Sequence, residues 1–168
     1  ENEKVSAILP VREFPENEYV FFATALGMVK KVQLSAFKNV SSKGIKAIAL
    51  KEGDSLIGAV KTSGADDIML FSNLGKAIRF NEYWAGKADV ADDDAELDNE
   101  MQPENDDADS ETAAPKSGNG VRPSGRGSGG LRGMRLPENG RIVSLLVAQE
   151  NCGLQVLTAT ANGYGKRT

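Results

Sequence analysis

The chain has 168 residues, enough for one domain with a core of its own. It contains no histidine and one cysteine, Cys152, which removes the raw material for internal disulfides, for most zinc sites and for Ser-His or Cys-His catalysis. The net charge of −4 averages two unlike regions: residues 87–116 hold twelve acidic and two basic residues, leaving 18 basic and 12 acidic elsewhere, a net of +6. No apolar run approaches the length of a membrane span and no signal peptide is visible, so a cytoplasmic protein without membrane contact is expected. The start at Glu1 and the end at Thr168, inside a repeating unit, read as fragment boundaries.

In chain order, an apolar strand is predicted over Val5–Leu9, then a run Val20–Leu26, a turn at Gly27 and a basic run Met28–Val32. Gly44–Leu50 follows as a further short element. The pattern then restarts. Leu56–Val60 matches the first strand, and Ile68–Leu74 with the turn Gly75 matches the second. Lys76–Phe80 matches the basic run. After an interruption, Gly130–Leu136 matches Gly44–Leu50, Ile142–Val147 matches the apolar strand, and Val156–Gly163 with Tyr164–Thr168 begins a third hairpin. The turn glycines supply φ > 0 at hairpin corners.

Gly27 and Gly75 are 48 residues apart, whereas Gly75 and Gly163 are 88 apart, and the excess falls between Tyr83 and Gly130. That interval carries the acidic run and a glycine-rich flank, a composition that buries too little apolar surface to offset ordering entropy. The domain reading is therefore residues 1–86 as repeats one and part of two, 87–124 as a disordered acidic insertion, and 125–168 as the remainder of the same domain. About four strands per unit implies an all-β, propeller-like array. Between two and a half and three blades are present, and because a closed propeller needs at least four, the domain is expected to be larger.

Cations recur after the turn glycines: Lys30 and Lys31, then Lys76 and Arg79, then Lys166 and Arg167. Lys46, Arg132 and Arg135 stand in the other repeated element, and Arg122 and Arg126 lie among the glycines before it. Cations at equivalent blade positions would form a regular basic stripe, which suits a phosphate backbone because each neutralised phosphate releases counterions. The bland alternative is a solubilising surface. No catalytic and no metal-ligating set stands out, and Gly125–Gly130 lacks the Gly-Lys-Ser/Thr ending of a phosphate loop.

Several motifs, in order and at their spacing, resemble the C-terminal domain of the bacterial DNA gyrase A subunit. They are Ala7–Val11, Val29–Lys31, Asp54–Gly58, Ile68–Ser72, Gly75–Lys76, Leu131–Leu136 and Ala161–Thr168. The likeness covers about residues 1–86 and 125–168 and not the acidic run. It implies a six-bladed β-pinwheel that binds duplex DNA on a basic rim and bends it for negative supercoiling. It also implies a parent enzyme, a type II topoisomerase, whose other parts and gyrase B subunit use ATP and Mg²⁺, while this fragment holds no cofactor. The family's Gln-Arg-Arg-Gly-Gly-Lys-Gly box is absent from these residues, so weak DNA binding is expected. The alternatives are the corresponding domain of topoisomerase IV and a protein-binding propeller with no nucleic-acid role.

Overall fold

A computed structural model describes residues 4–41, 43–83, 120–148, 155–160 and 162–167. The architecture is all-β. The first sheet contains β1 (Tyr19–Thr24), β2 (Met28–Gln33), β3 (Leu56–Thr62) and β6 (Leu131–Arg132) in the order β3-β1-β2-β6. The second contains β4 (Asp67–Ser72), β5 (Ala77–Asn81) and β7 (Ile142–Ala148) in the order β5-β4-β7, and β8 (Leu157–Ala159) pairs with β9 (Gly165–Arg167). Every named pairing is antiparallel. The first two sheets thus recruit strands from later in the chain, and β6 and β7 reach them from beyond the acidic run.

The sequence repeat is a repeat of hydrogen-bond register. Tyr19 stands opposite Gln33 and Ala23 opposite Val29; 48 residues on, Asp67 stands opposite Asn81 and Phe71 opposite Ala77. In the third unit Leu157 faces Arg167, as Met69 faces Arg79 in the second. A register shift falls at Ala23/Thr24 in the β1–β3 pair and at Phe71/Ser72 in the β4–β7 pair. The turn glycines Gly27, Gly75 and Gly163 all have positive φ, a conformation that costs other L-residues steric strain.

Alternation in these strands places two apolar faces. Phe21, Ala23 and Val29 meet Ile68, Leu70, Phe80 and Ile142 in a core between the first and second sheets, with Val121 and Met134 closing it. On the other face of the first sheet, Val20, Phe22, Val32 and Leu34 are covered by Ile48 and by Leu9, Val11 and Phe14. The segments Val5–Leu9 and Gly44–Leu50, expected as strands, have no regular β pairing; Leu9, Ala47 and Ile48 pack on this face, while Val5 and Ile8 are exposed. Their counterparts β3, β7 and β6 pair with a hairpin one repeat earlier, and the described residues contain no earlier hairpin for these two segments.

Residues 120–124, expected within the disordered insertion 87–124, are part of the fold. Val121 is buried in the core, its N–H donates to the Glu82 carbonyl, and Ser124 N–H donates to the Lys31 carbonyl. Gly120 lies against the Tyr83 carbonyl so closely that a Cβ would collide with it. Residues 120–124 therefore belong to the sheet scaffold, while the acidic run itself lies outside the described residues.

Candidate nucleic-acid interface

β2 is buried on both faces, and this decides the fate of its two lysines. Lys30 and Lys31, expected on an outer basic stripe, are only 1% and 2% exposed. That expectation is corrected by geometry: adjacent strand residues point to opposite faces, and here both faces are covered. Lys30 Nζ donates to the carbonyls of Ala47 (3.1 Å), Arg126 (2.6 Å) and Ser128 (2.7 Å). Desolvation pushes its pKa down to about 8.

Lys31 is the mirror strut. Its Nζ donates to the Glu82 carbonyl at 2.6 Å, lies 3.8 Å from the Glu82 carboxylate and sits 5.1 Å from the Tyr19 ring centre. The fully buried Glu82 carboxylate also accepts from Thr62 Oγ1 (3.0 Å) and from the N–H groups of Gly64 (3.0 Å) and Asp66 (3.2 Å). Burial raises the Glu82 pKa and lowers that of Lys31, each opposed by the charge of the other. Among the described residues no buried side-chain polar atom is left without a partner.

The strand edge that these struts secure carries a row of arginines. The chain returns beside β2 at Pro123, which bridges to Lys31. It makes a turn over Gly125–Ser128, then runs along β2 with Leu131 opposite Val29 and Arg132 opposite Met28. Gly133 and Met134 then donate to the Gly27 carbonyl at the hairpin corner. Arg122, Arg126, Arg132 and Arg135 are therefore strung along this edge, and all but the half-buried Arg126 are exposed.

The same segment links the hairpin corners of the two sheets. Ile142 N–H donates to the Ala25 carbonyl, and Arg141 exchanges hydrogen bonds with Asn73 beside the Gly75 turn. This gathers exposed Lys76 and Arg141 at the corner end of the second sheet, following Arg132 and Arg135 at the first. Lys46 is exposed in the cover segment, and Lys166 and Arg167 are exposed on β9. Arg79 is also exposed but engaged: its Nε donates to Asp67 Oδ2 at 2.7 Å and its Nη2 completes the ion pair. Burial alone would raise the Asp67 pKa, but hydrogen bonds from Asn81 and Arg79 and the guanidinium charge hold it below its ordinary value. Across the described residues 18 basic side chains stand against 9 acidic ones, a net of +9. A described surface of this sign attracts polyanions.

The family model described as DNA gyrase C-terminal domain, beta-propeller, matches residues 18–63, 66–83, 117–149 and 155–168. The chain belongs to this family. The DNA gyrase A subunit of Neisseria gonorrhoeae is 69% identical over 173 residues, covering 100% of this chain and 19% of that protein. That of Escherichia coli K12 is 39% identical over 168 residues, covering 100% of this chain and 15% of that protein. The chain thus spans under a fifth of the curated relatives' length. Among solved structures, the C-terminal domain of DNA topoisomerase IV superposes with a TM-score of 0.67 at 23% identity, over 95% of this chain and 38% of that one. The DNA gyrase A C-terminal domain does so with a TM-score of 0.64 at 23% identity, over 96% of this chain and 41% of that one. These two matches speak to the fold, which is the all-β, propeller-like array expected from the sequence.

Of the gyrase-type residues singled out in the sequence, Lys46, Lys76, Arg132, Arg135, Lys166 and Arg167 are exposed, Arg79 is ion-paired, and Lys30 and Lys31 are internal. The sequence did hold a hint about Lys30, since its counterpart in the second sheet is the apolar Ile78. Arg141 was missed. Its counterpart is Ser55, so a search for recurring cations passes over it.

Proposed function

We propose that this chain is part of a domain that binds duplex DNA through its phosphates, without base reading, and bends it along a basic edge. In that role it serves the A subunit of a cytoplasmic type II topoisomerase, partnered by the gyrase B subunit. The carrying observation is the exposed series Arg122, Arg132, Arg135, Arg141 and Lys76 along one strand edge and two neighbouring hairpin corners. Membership of the gyrase C-terminal domain family supports the same reading. Strand cleavage and the use of ATP and Mg²⁺ are assigned to other parts of the parent enzyme.

The energetics are electrostatic. Bending 20–30 base pairs by 40–90° costs on the order of 1–6 kcal/mol, which phosphate contacts along the curve must offset. Neutralising about six phosphates makes affinity fall roughly 10³-fold between 50 and 200 mM salt. The test is the binding of a random-sequence duplex at those two salt concentrations, comparing the parent with Arg132→Glu/Arg135→Glu. Steep salt dependence that the double variant loses is the expected result. Salt-insensitive binding, or none, overturns the proposal and favours a protein partner instead.

A further inference from the structure

Lys30 is a buried cation that, among the described residues, no carboxylate neutralises. Carbonyl dipoles compensate a desolvated charge incompletely, so an apolar side chain would serve the core better. The second sheet has such a residue, Ile78, at the equivalent position. What the ammonium adds is a grip on backbone. Its three donors take one carbonyl from the cover segment (Ala47) and two from the returning turn (Arg126 and Ser128).

That turn needs an outside anchor. Residues 125–130 read Gly-Arg-Gly-Ser-Gly-Gly, with almost no side chain to pack and the largest backbone entropy to lose. Its other restraints are few. Ser128 N–H donates to the Gly125 carbonyl (3.3 Å), Ser128 Oγ lies 3.0 Å from that carbonyl and 3.1 Å from Ser124 Oγ, and Ala49 N–H donates to the Ser128 carbonyl (3.2 Å). Because the strut holds main-chain oxygens, the arginine heads are not spent on holding the turn. Neither Arg122 nor Arg126 makes a side-chain hydrogen bond or ion pair to a described residue.

We propose that Lys30 is a positioning residue for DNA binding, fixing the turn Gly125–Ser128 so that Arg126 extends the row formed by Arg122, Arg132 and Arg135. This rests on the DNA reading above.

The experiment is a salt titration of random-duplex binding by the full chain, using a double-mutant cycle. Arg122→Ala/Arg126→Ala should lower the slope of log affinity against log salt by about 2, at roughly 0.9 for each phosphate no longer neutralised. Lys30→Met should weaken binding about fivefold and lower the slope by about 1, and should cost nothing further once both arginines are gone. Ser128→Ala loosens the same turn from its exposed side without touching the core. It should weaken binding about twofold, again only while the arginines are present, and it carries the test should Lys30→Met fail to fold. If the parent binds with steep salt dependence and neither variant alters affinity or slope, the inference is wrong. It is equally wrong if the loss persists undiminished in the arginine-free background. If the parent binds no DNA, the DNA reading falls first and takes this inference with it.

Discussion

In the first sheet the fourth residue after the turn glycine is Lys31, 2% exposed and bonded to Glu82; in the second it is Arg79, exposed and paired with Asp67. The hairpins share one register, so strand geometry does not separate them. The difference is what lies beside the strand. The first sheet has the returning segment and β6 along its β2 edge, with cover on its outer face, whereas β5 has no neighbour beyond it among the described residues. A cation that recurs in sequence therefore marks a recurring backbone position. Whether it meets solvent is settled by chain that arrives from nearly a hundred residues away.

The strongest way to test that contrast is to remove the hub of the covered side. Glu82→Ala leaves the Lys31 ammonium buried without a counter-charge and strips partners from Thr62, Gly64 and Asp66, so a loss of about 3–5 kcal/mol is expected in denaturant unfolding. Lys31→Met/Glu82→Gln neutralises both groups while the amide oxygen still accepts, and should recover at least half of that loss. A double variant as unstable as Glu82→Ala would show that the buried charges are not what matters.

The turn glycines offer a matched pair. Gly27 and Gly75 have φ of 86° and 75°, so alanine at either should cost about 1–2 kcal/mol in backbone strain. At Gly27 an added Cβ would also stand 2.5 Å from the Met134 carbonyl, while at Gly75 it meets open space. Gly27→Ala is expected to be at least twice as destabilising. Equal losses would mean that the covering segment yields readily, and that the first sheet is no more constrained than the second.

These contrasts also explain what the sequence could reveal. Strand alternation, turn glycines and the spacing of 48 residues are local or periodic signals, and they carried the all-β array and the matching registers of Tyr19–Gln33 and Asp67–Asn81. The burial of Lys30 and Lys31 is neither local nor periodic, since it depends on Glu82, Ala47, Arg126 and Ser128 converging from three other segments. The same holds for residues 120–124, whose composition reads as linker and whose order comes from buried Val121 and backbone bonds to Lys31 and Glu82.

The pH dependence of stability sharpens the comparison at Lys30. Its pKa is about 8 in the fold against 10.5 when free, so between those values the unfolded chain binds more protons. Stability from this group then rises with pH across that window, because the cost of burying the ammonium is relieved as it deprotonates. Relative to Lys30→Met, the parent should gain about 2–3 kcal/mol between pH 8 and 10.5 in denaturant titrations. A parallel pair of curves would show that the carbonyl cage compensates the charge fully.

The smallest effect is expected at the surface pair. Arg79 is 56% exposed and Asp67 15%, so the pair sits at the surface with one partner open to solvent, where such pairs contribute about 0–1 kcal/mol and fade as salt screens them. Arg79→Ala should thus cost less than 1 kcal/mol at low salt and nothing measurable at 1 M. Lys31→Ala should cost several times more, with little salt dependence, because its partner is buried. The pairing also bears on DNA, since a guanidinium already neutralised by Asp67 has less to offer a phosphate than the ammonium of Lys76, which has no ion pair among the described residues. Affinity for a random duplex should therefore fall less for Arg79→Ala than for Lys76→Ala. The reverse order would mean that DNA displaces Asp67, making the exposed pair a phosphate site held in reserve and the two sheets functionally more alike than their side chains suggest.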